Sequence, residues 1–431
     1  MQLQRHMEIA FSSPQEIAQL QRQKLCAHID YCKNNSPYYR DVLADIGTSS
    51  HKSIADILAE LPFTYKEDIE QHNDEMSTVT PDRIVDIVMS SGTTGEPTKV
   101  MYTEHDLERL AYNEEKSFLG CGLSADDTVL LTCTIDRCFV AGLAYFLGIR
   151  AIGAAAVRNG HGSMASHAEV MERLNPTVIV GVPTFVRKLG LYMKDADMDP
   201  AETSVSKIVC IGEPIRDRDL ALVKVGSDIQ EAWDARVFST YASSETVTTF
   251  CECSDQKGGH LHPDLAIIEI IDDQGNDLAP GEVGEVVVTP LDVEAMPLIR
   301  FRTGDVSFLI DEPCSCGRNS VRLGPILGRK KHMLKVKGTT VYPQAVFAVL
   351  SELDFVSDYY VSVSSQDGLS DHLTVHVSMN EDGTIETIQE KLQARLRIKP
   401  EIAIEEEREL RERVYLPEFR KPMRFKDLRT I

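Results

Sequence analysis

The sequence has no apolar run long enough to cross a bilayer, which takes about 20 residues. Its longest, FVAGLAYFLGI, covers only 139–149. The opening MQLQRHMEIAF lacks a secretory signal pattern, so a cytoplasmic protein with no membrane partner is expected. Basic residues are in deficit: 45 Lys and Arg stand against 67 Asp and Glu, and the net charge of −22 argues against general binding to nucleic acid. No internal repeat, low-complexity tract or long linker breaks the chain. In a protein expected to stay in a reducing compartment, the ten cysteines should be free, metal-bound or buried rather than paired as disulfides.

What is present is an ordinary globular composition, 42% hydrophobic and 26% charged, in a chain of 431 residues, too long for one core. Residues 1–80 read mainly as helices; SPQEIAQLQRQKLCAHIDYCKNN carries its apolar positions at helical spacing. From about 84 onward, short apolar runs bounded by Gly or Pro (DTVLLTC, AIGAAAV, PTVIVGVP, SKIVCIGEP) alternate with helical segments such as HAEVMERL and TFVRKLGLYMKD. That alternation predicts an α/β domain with a largely parallel sheet and ligands at the C-terminal ends of its strands. LAIIEIID, GEVGEVVVTPL and PLIRFRTGDVSFLI then read as a β-rich subdomain. After about 330, a helix (AVFAVLSEL), two alternating strands (DYYVSVSS, DHLTVHVSM) and an amphipathic helix (TIETIQEKLQARL) predict a small α+β domain. The expected division is a large N-terminal domain over 1–328 and a C-terminal α+β lid over 329–431.

Several segments hold residues suited to nucleotide chemistry. SSGTTGEPTKV, 90–100, puts two Gly, three Thr, two Ser and one Lys into a loop whose free backbone N–H groups and hydroxyls can wrap an anion. It is no Walker A loop, because Pro97 and Thr98 stand where that spacing requires Gly-Lys. YASSETVTT, 241–249, offers Glu245 as an oxygen ligand for Mg²⁺. RFRTGD ends in Asp305, an acceptor for two ribose hydroxyls, and CIGEP exposes backbone at 212–214 that could lie against a flat base. Two basic islands, GRKKHMLKVKG (328–338) and FRKPMRFKDLR (419–429), each carry five Lys or Arg and suit a polyanionic small molecule as well as a solvated face. Singly, each segment also fits a surface acid, a turn or a solvated lysine. Their order carries more.

Taken together, SPYYRD, LPFTYKEDI, SSGTTGEPTKV, IGEP, YASSE, PLIRFRTGD, CSCGR, ILGR and VYPQAV resemble the recurring segments of the phenylacetate-CoA ligase family. That family belongs to the adenylate-forming superfamily of acyl-CoA synthetases, and the resemblance runs from about 36 to the C-terminus. It implies two steps: a carboxylate attacks the α-phosphate of MgATP to give acyl-AMP and pyrophosphate, then a thiol, typically of coenzyme A, attacks the acyl carbon. It further implies that Ser91, Gly92, Thr93, Thr94, Gly95 and Lys99 surround the phosphates, with Thr94 close to the reacting centre. Glu245, beside Ser244, would bind Mg²⁺. Tyr241 and Gly212, Glu213 and Pro214 would flank the adenine, Asp305 would hold the ribose, and Arg329 would meet the nucleotide near the hinge.

The family's C-terminal Gly-Lys, with Arg three residues on, corresponds here to Arg420-Lys421 and Arg424, which makes Lys421 the expected catalytic lysine and Lys426 the fallback. His332 stands where the family usually has a hinge aspartate. The stretch TIDRCFVAGLAYF corresponds to one lining the acyl site, so Phe139, Ala141 and Gly142 are expected to face an aryl or arylacetic acid. Asp136, Arg137 and Cys138 depart from the usual Gly/aromatic run. A carrier-protein phosphopantetheine or an amine would be compatible acceptors, and a homodimer is compatible with the reading. A nucleotide-binding protein without catalysis is the alternative from another class.

Cys251, Cys253, His260 and His262 fall within twelve residues, and Cys314-Ser-Cys316 follows some fifty residues later. Thiolates and imidazole at such spacing suit tetrahedral zinc, although C-x-C is tighter than the usual C-x₂-C. The resemblance selects Cys253, His260, Cys314 and Cys316, a closed set and therefore a structural zinc.

Overall fold

A computed structural model describes residues 3–47, 52–90, 98–160, 162–336, 339–366, 370–416 and 422–429. The chain forms two compact units, Met1–Thr303 with Ser307–Ile326, and Gly304–Val306 with Leu327–Ile431.

The first unit opens with the helix Pro14–Asn35, whose start is set by a capping box: Glu16 N–H donates to Ser13 Oγ, and Ser13 N–H donates to the Glu16 carboxylate. Its apolar face buries Leu25, Ile29 and Cys32 against Ile267, Leu291 and Ile299. The centre of the unit is a nine-stranded sheet. From one edge its order is Leu309–Ile310, Arg322–Leu323, Gly259–His260, Thr248–Glu252, Arg236–Ser243, Lys207–Cys210, Val178–Gly181, Thr128–Leu131 and Ala155–Arg158. The last five strands run parallel. Helices Val140–Ile152, Met164–Leu174, Pro183–Asp195 and Lys224–Trp233 connect them.

Because alternate strand residues face opposite ways, Leu130, Ile179, Ile208 and Val237 pack with Trp233 and Val186 on one face. Val129, Val178, Val180, Val209 and Phe238 pack with Phe118 and Tyr145 on the other. Burial on both faces explains why these strands read as unbroken apolar runs. One boundary differs from the sequence reading. AIGAAAV was expected to be all strand, but its first residues finish the helix Val140–Ile152, and Gly153, at φ 89°, ends that helix before the strand Ala155–Arg158.

The predicted β-rich segments form Ala266–Ile271, Gly284–Pro290 and Phe301–Ser307, the first two a regular antiparallel pair. The second unit has the sheet order Glu401–Ile404, Ser370–Met379, Val356–Gln366, Phe425–Asp427. Helices Pro343–Ser351 and Ile385–Leu396 cover one face through Val346, Leu350, Ile388 and Leu392, which bury Val361, Val363, Val375 and Val377. This is the small α+β fold expected after 330. All ten cysteines are free, and no helix among the described residues is long and apolar enough to cross a membrane.

Candidate active site and metal centre

Three parallel strands of the first unit deliver predicted site segments from their C-terminal ends, and a fourth, Val178–Gly181, delivers Thr184, which the sequence had not singled out. Thr128–Leu131 leads to the loop before Phe139, Val178–Gly181 to Thr184, Lys207–Cys210 to Gly212, and Arg236–Ser243 to Ser244 and Glu245. Gly212 has φ 73°, a left-handed conformation that glycine adopts without a Cβ penalty. The next residue ties two neighbouring strand ends together: the Glu213 carboxylate accepts from Thr184 N–H at 3.1 Å and from Thr184 Oγ1 at 2.9 Å. The Tyr241 ring stacks on Phe250, centroids 6.0 Å apart.

Glu245 sits in the four-residue turn between the paired residues Ser243 and Thr248. Within the turn, Thr246 N–H donates to Ser243 Oγ at 3.3 Å. The Glu245 carboxylate makes no ion pair with any other described residue.

Of the residues expected at the acyl site, Phe139 lines a cavity of about 240 Å³ together with Asp86, Ile87, Val88, Ile135, Cys138 and Leu143. Ala141 packs on the apolar layer around Tyr145. Gly142 is buried where a Cβ would collide with the Thr134 carbonyl, so its lack of a side chain lets the helix approach that loop. Arg137 and Cys138 both take left-handed backbone, φ 61° and 51°. Lys99 is half-exposed on the strand Lys99–Tyr102, with Nζ 2.6 Å from the Asp74 carboxylate. Ser91, Gly92, Thr93, Thr94, Gly95 and Lys421 lie outside the described residues.

In the second unit, Asp305 and Arg329 face each other across an antiparallel pair, Arg329 Nε 3.2 Å from Asp305 Oδ1. Gly304, at φ 73°, precedes that pair. The His332 ring packs on Phe425 at 4.8 Å. Burial, helped by the charges of Arg329 and Lys331, lowers its pKa to about 4, so the ring is neutral at physiological pH. Lys426 lies with Nζ 4.5 Å from the centre of the Tyr360 ring.

The four predicted thiol and imidazole ligands converge. The ligand atoms of Cys253, His260, Cys314 and Cys316 all lie within 4.8 Å of one another. Cys253 and Cys314 Sγ are 3.6 Å apart, and Cys316 Sγ is 3.4 Å from His260 Nε2. A tetrahedral zinc with bonds of about 2.3 Å to sulfur and 2.0 Å to nitrogen would separate its ligands by roughly 3.5–3.8 Å. The donor set therefore fits the ion.

The pairing of Arg322 with His260 brings the 314–316 segment back to the strand Gly259–His260. His260 Nδ1 lies 3.2 Å from Ser320 Oγ, which leaves Nε2 turned toward the thiols. Burial pushes the Cys253 thiol up to about 12, an ionisation cost that a bound cation would offset. Ser320 had no signal in the sequence. The two nearby residues outside that set have other partners: His262 Nε2 is 3.0 Å from Ser117 Oγ, and Cys251 Sγ is 3.2 Å from Cys121 Sγ.

Against known proteins, the AMP-binding enzyme family matches residues 20–290, and the AMP-binding enzyme C-terminal domain matches 338–429. The phenylacetate-coenzyme A ligase of Thermus thermophilus is 31% identical over 374 residues, 85% of this chain and 82% of its own length. That of Escherichia coli is 26% identical, covering 92% of this chain and 91% of the relative. Among solved structures, a 2-hydroxyisobutyryl-CoA ligase in the postadenylation state superposes with a TM-score of 0.80 at 20% identity, over 97% of this chain and 89% of that one. At that identity the likeness speaks for the fold.

Proposed function

The chain belongs to the phenylacetate-CoA ligase family of AMP-binding enzymes, and from that premise we propose that it activates a carboxylic acid with MgATP and passes the acyl group to coenzyme A. The acid's oxygen attacks the α-phosphorus and pyrophosphate leaves. The thiol sulfur then attacks the acyl carbon and AMP leaves. The observation that carries this reading is the gathering of Thr134–Phe139, Thr184, Gly212–Glu213 and Ser244–Glu245 at the C-terminal ends of adjacent parallel strands, the place where open α/β sheets bind ligands.

The first step brings two anions together, so it needs positive charge and aligned donors. Ser91, Gly92, Thr93, Thr94, Gly95 and Lys99 supply these to the phosphates, and Lys421 supplies the charge at the carboxylate and α-phosphate. Glu245, with Ser244 beside it, holds Mg²⁺, which when bound neutralises phosphate charge. Gly212, Glu213, Pro214 and Tyr241 flank the adenine, Asp305 takes the ribose hydroxyls, and Arg329 meets the nucleotide. Functionally the chain divides at 328/329, with the second part acting as a mobile lid. Phe139, Ala141 and Gly142 border the acyl pocket, and an aryl or arylacetic acid is the substrate class. Cys253, His260, Cys314 and Cys316 hold a structural zinc, a reading supported by their convergence.

A cytoplasmic setting belongs to the same reading. A carrier-protein thiol or an amine would use the same first step, and a homodimer is compatible with both steps. ATP–pyrophosphate exchange across a panel of aryl and aliphatic acids, followed by thioester detection with coenzyme A, tests the proposal. Exchange that depends on one acid class is expected. Absence of acid-dependent exchange across the panel overturns it in favour of a nucleotide-binding protein.

A further inference from the structure

The turn that carries Glu245 is held from outside by two buried side chains. Tyr102, 1% exposed, donates its hydroxyl to the Ser244 carbonyl at 2.9 Å. Arg109, fully buried, donates to the Val247 carbonyl. The same guanidinium donates to Thr248 Oγ1 at 3.3 Å, Leu265 O at 2.5 Å and Leu291 O at 2.6 Å. Glu245 thus lies between two pinned carbonyls, one on the residue before it and one two residues after.

The turn needs such holding. Val247 has φ 49°, a left-handed conformation that a β-branched residue adopts only under constraint. Its side chain is buried with Val88, Val100, Tyr102, Leu110 and Val140, which fixes one end of the turn. Tyr102 reaches the other end across 142 residues of sequence. It belongs to the strand Lys99–Tyr102, which directly follows the glycine-threonine segment in the chain.

We propose that Tyr102 is a positioning residue for Mg²⁺ binding: its hydroxyl, with Arg109 as the fixed counterpart, sets the turn so that the Glu245 carboxylate is already oriented for the metal. This rests on the reading of Glu245 as the Mg²⁺ ligand. A side chain that holds a metal-ligating carboxylate in place typically contributes about 10-fold or more to metal affinity.

The test uses Tyr102→Phe, which keeps the ring in the apolar cluster and removes only the hydroxyl. The Mg²⁺ concentration for half-maximal ATP–pyrophosphate exchange should rise about 10-fold. Amide hydrogen exchange at 245–247 should speed up while the amides of Val178–Gly181 stay protected. In the Glu245→Gln background, itself expected to need more Mg²⁺, adding Tyr102→Phe should shift the Mg²⁺ requirement by no more than about 2-fold, because the two changes act on one interaction. An unchanged Mg²⁺ requirement in Tyr102→Phe, with a raised one in Glu245→Gln, overturns the positioning role alone. An equal shift in both backgrounds also overturns it, assigning the tyrosine to general stability. An unchanged requirement in Glu245→Gln overturns the magnesium reading of Glu245, and the role of Tyr102 falls with it.

Discussion

The nine-stranded sheet changes character inside a single strand. Residues 236–239 of Arg236–Ser243 pair in parallel with Lys207–Cys210, whereas 240–243 pair antiparallel with Thr248–Glu252. On the parallel side, the strands inside the edge strand Ala155–Arg158 are apolar runs shielded on both faces by helix side chains, and predicted ligand-binding segments lie in the loops at their ends. On the antiparallel side, the outer strands Gly259–His260, Arg322–Leu323 and Leu309–Ile310 are two residues each. Though mostly buried, strands so short contribute few apolar side chains. Buried polar chemistry takes over: Glu252 accepts from Arg216 at 2.6 Å and from Ser239 N–H at 2.7 Å, and the Cys/His cluster joins segments that the ladder scarcely connects. One half is held by apolar area and frees its rim for ligands, while the other adds buried polar contacts and the Cys/His cluster to the apolar packing of Phe250, Leu261 and Leu323.

If that contrast is right, the largest loss of chemistry should come from a residue in neither half. Lys421→Ala should cut acyl-AMP formation by on the order of 10²-fold or more, by analogy with removing a positioned charge donor. ATP binding, measured by calorimetry, should change little. The same split in Lys426→Ala instead would move the catalytic role to the described lysine over Tyr360.

Zinc removal should break the antiparallel half selectively. Elemental analysis should find one zinc per chain, and Cys316→Ser should weaken zinc affinity by at least about 100-fold, more than an indirect partner would. Hydrogen exchange should then accelerate across 253–262 and 314–323 and remain slow in the parallel strands. Wild-type protein with no zinc, or uniform acceleration, would erase the distinction.

A smaller effect probes the seam. Glu114 is buried, with Thr249 of the first antiparallel strand donating to one oxygen and no hydrogen-bond partner among the described residues for the other. Burial raises its pKa from 4.5 to about 7. Between those values the unfolded chain ionises while the folded protein keeps its proton, so stability falls as pH rises through the window and levels off above it. Glu114→Gln should flatten that slope in urea unfolding and add on the order of 2 kcal/mol at pH 8.

The smallest effect concerns Lys99. Its pair with Asp74 is solvent-exposed, so Lys99→Ala should change stability by no more than about 0.5 kcal/mol. If the lysine serves the phosphates, the KM for ATP should nonetheless rise about 10-fold, the loss of one charged hydrogen bond. A change in stability without a change in KM would return it to the scaffold.

Much of this was legible beforehand because it is local. The alternation of apolar runs with helical segments identified the α/β domain, and the change of pattern after 330 marked the α+β unit. The ordered motifs pointed to the family before any fold was known. The boundary in AIGAAAV was not legible, since a short apolar run serves a helix end as readily as a strand and only Gly153 decides between them. Tyr102 gave no sign either. Its bond to Ser244 depends on a contact 142 residues distant.

The amino-acid sequence alone determined the elements, their order and the residue types available for chemistry, because helical period, strand alternation and turn residues act over a few neighbours. The tertiary structure decided which of those residues meet. Cys253 reaches Cys314 across 61 residues because Arg322 pairs with His260, and Glu245 is framed because Tyr102 and Arg109 come from a strand and a helix much earlier in the chain. Such meetings are set by sheet register and by the burial that makes one register stable, and these are properties of the whole fold rather than of any segment.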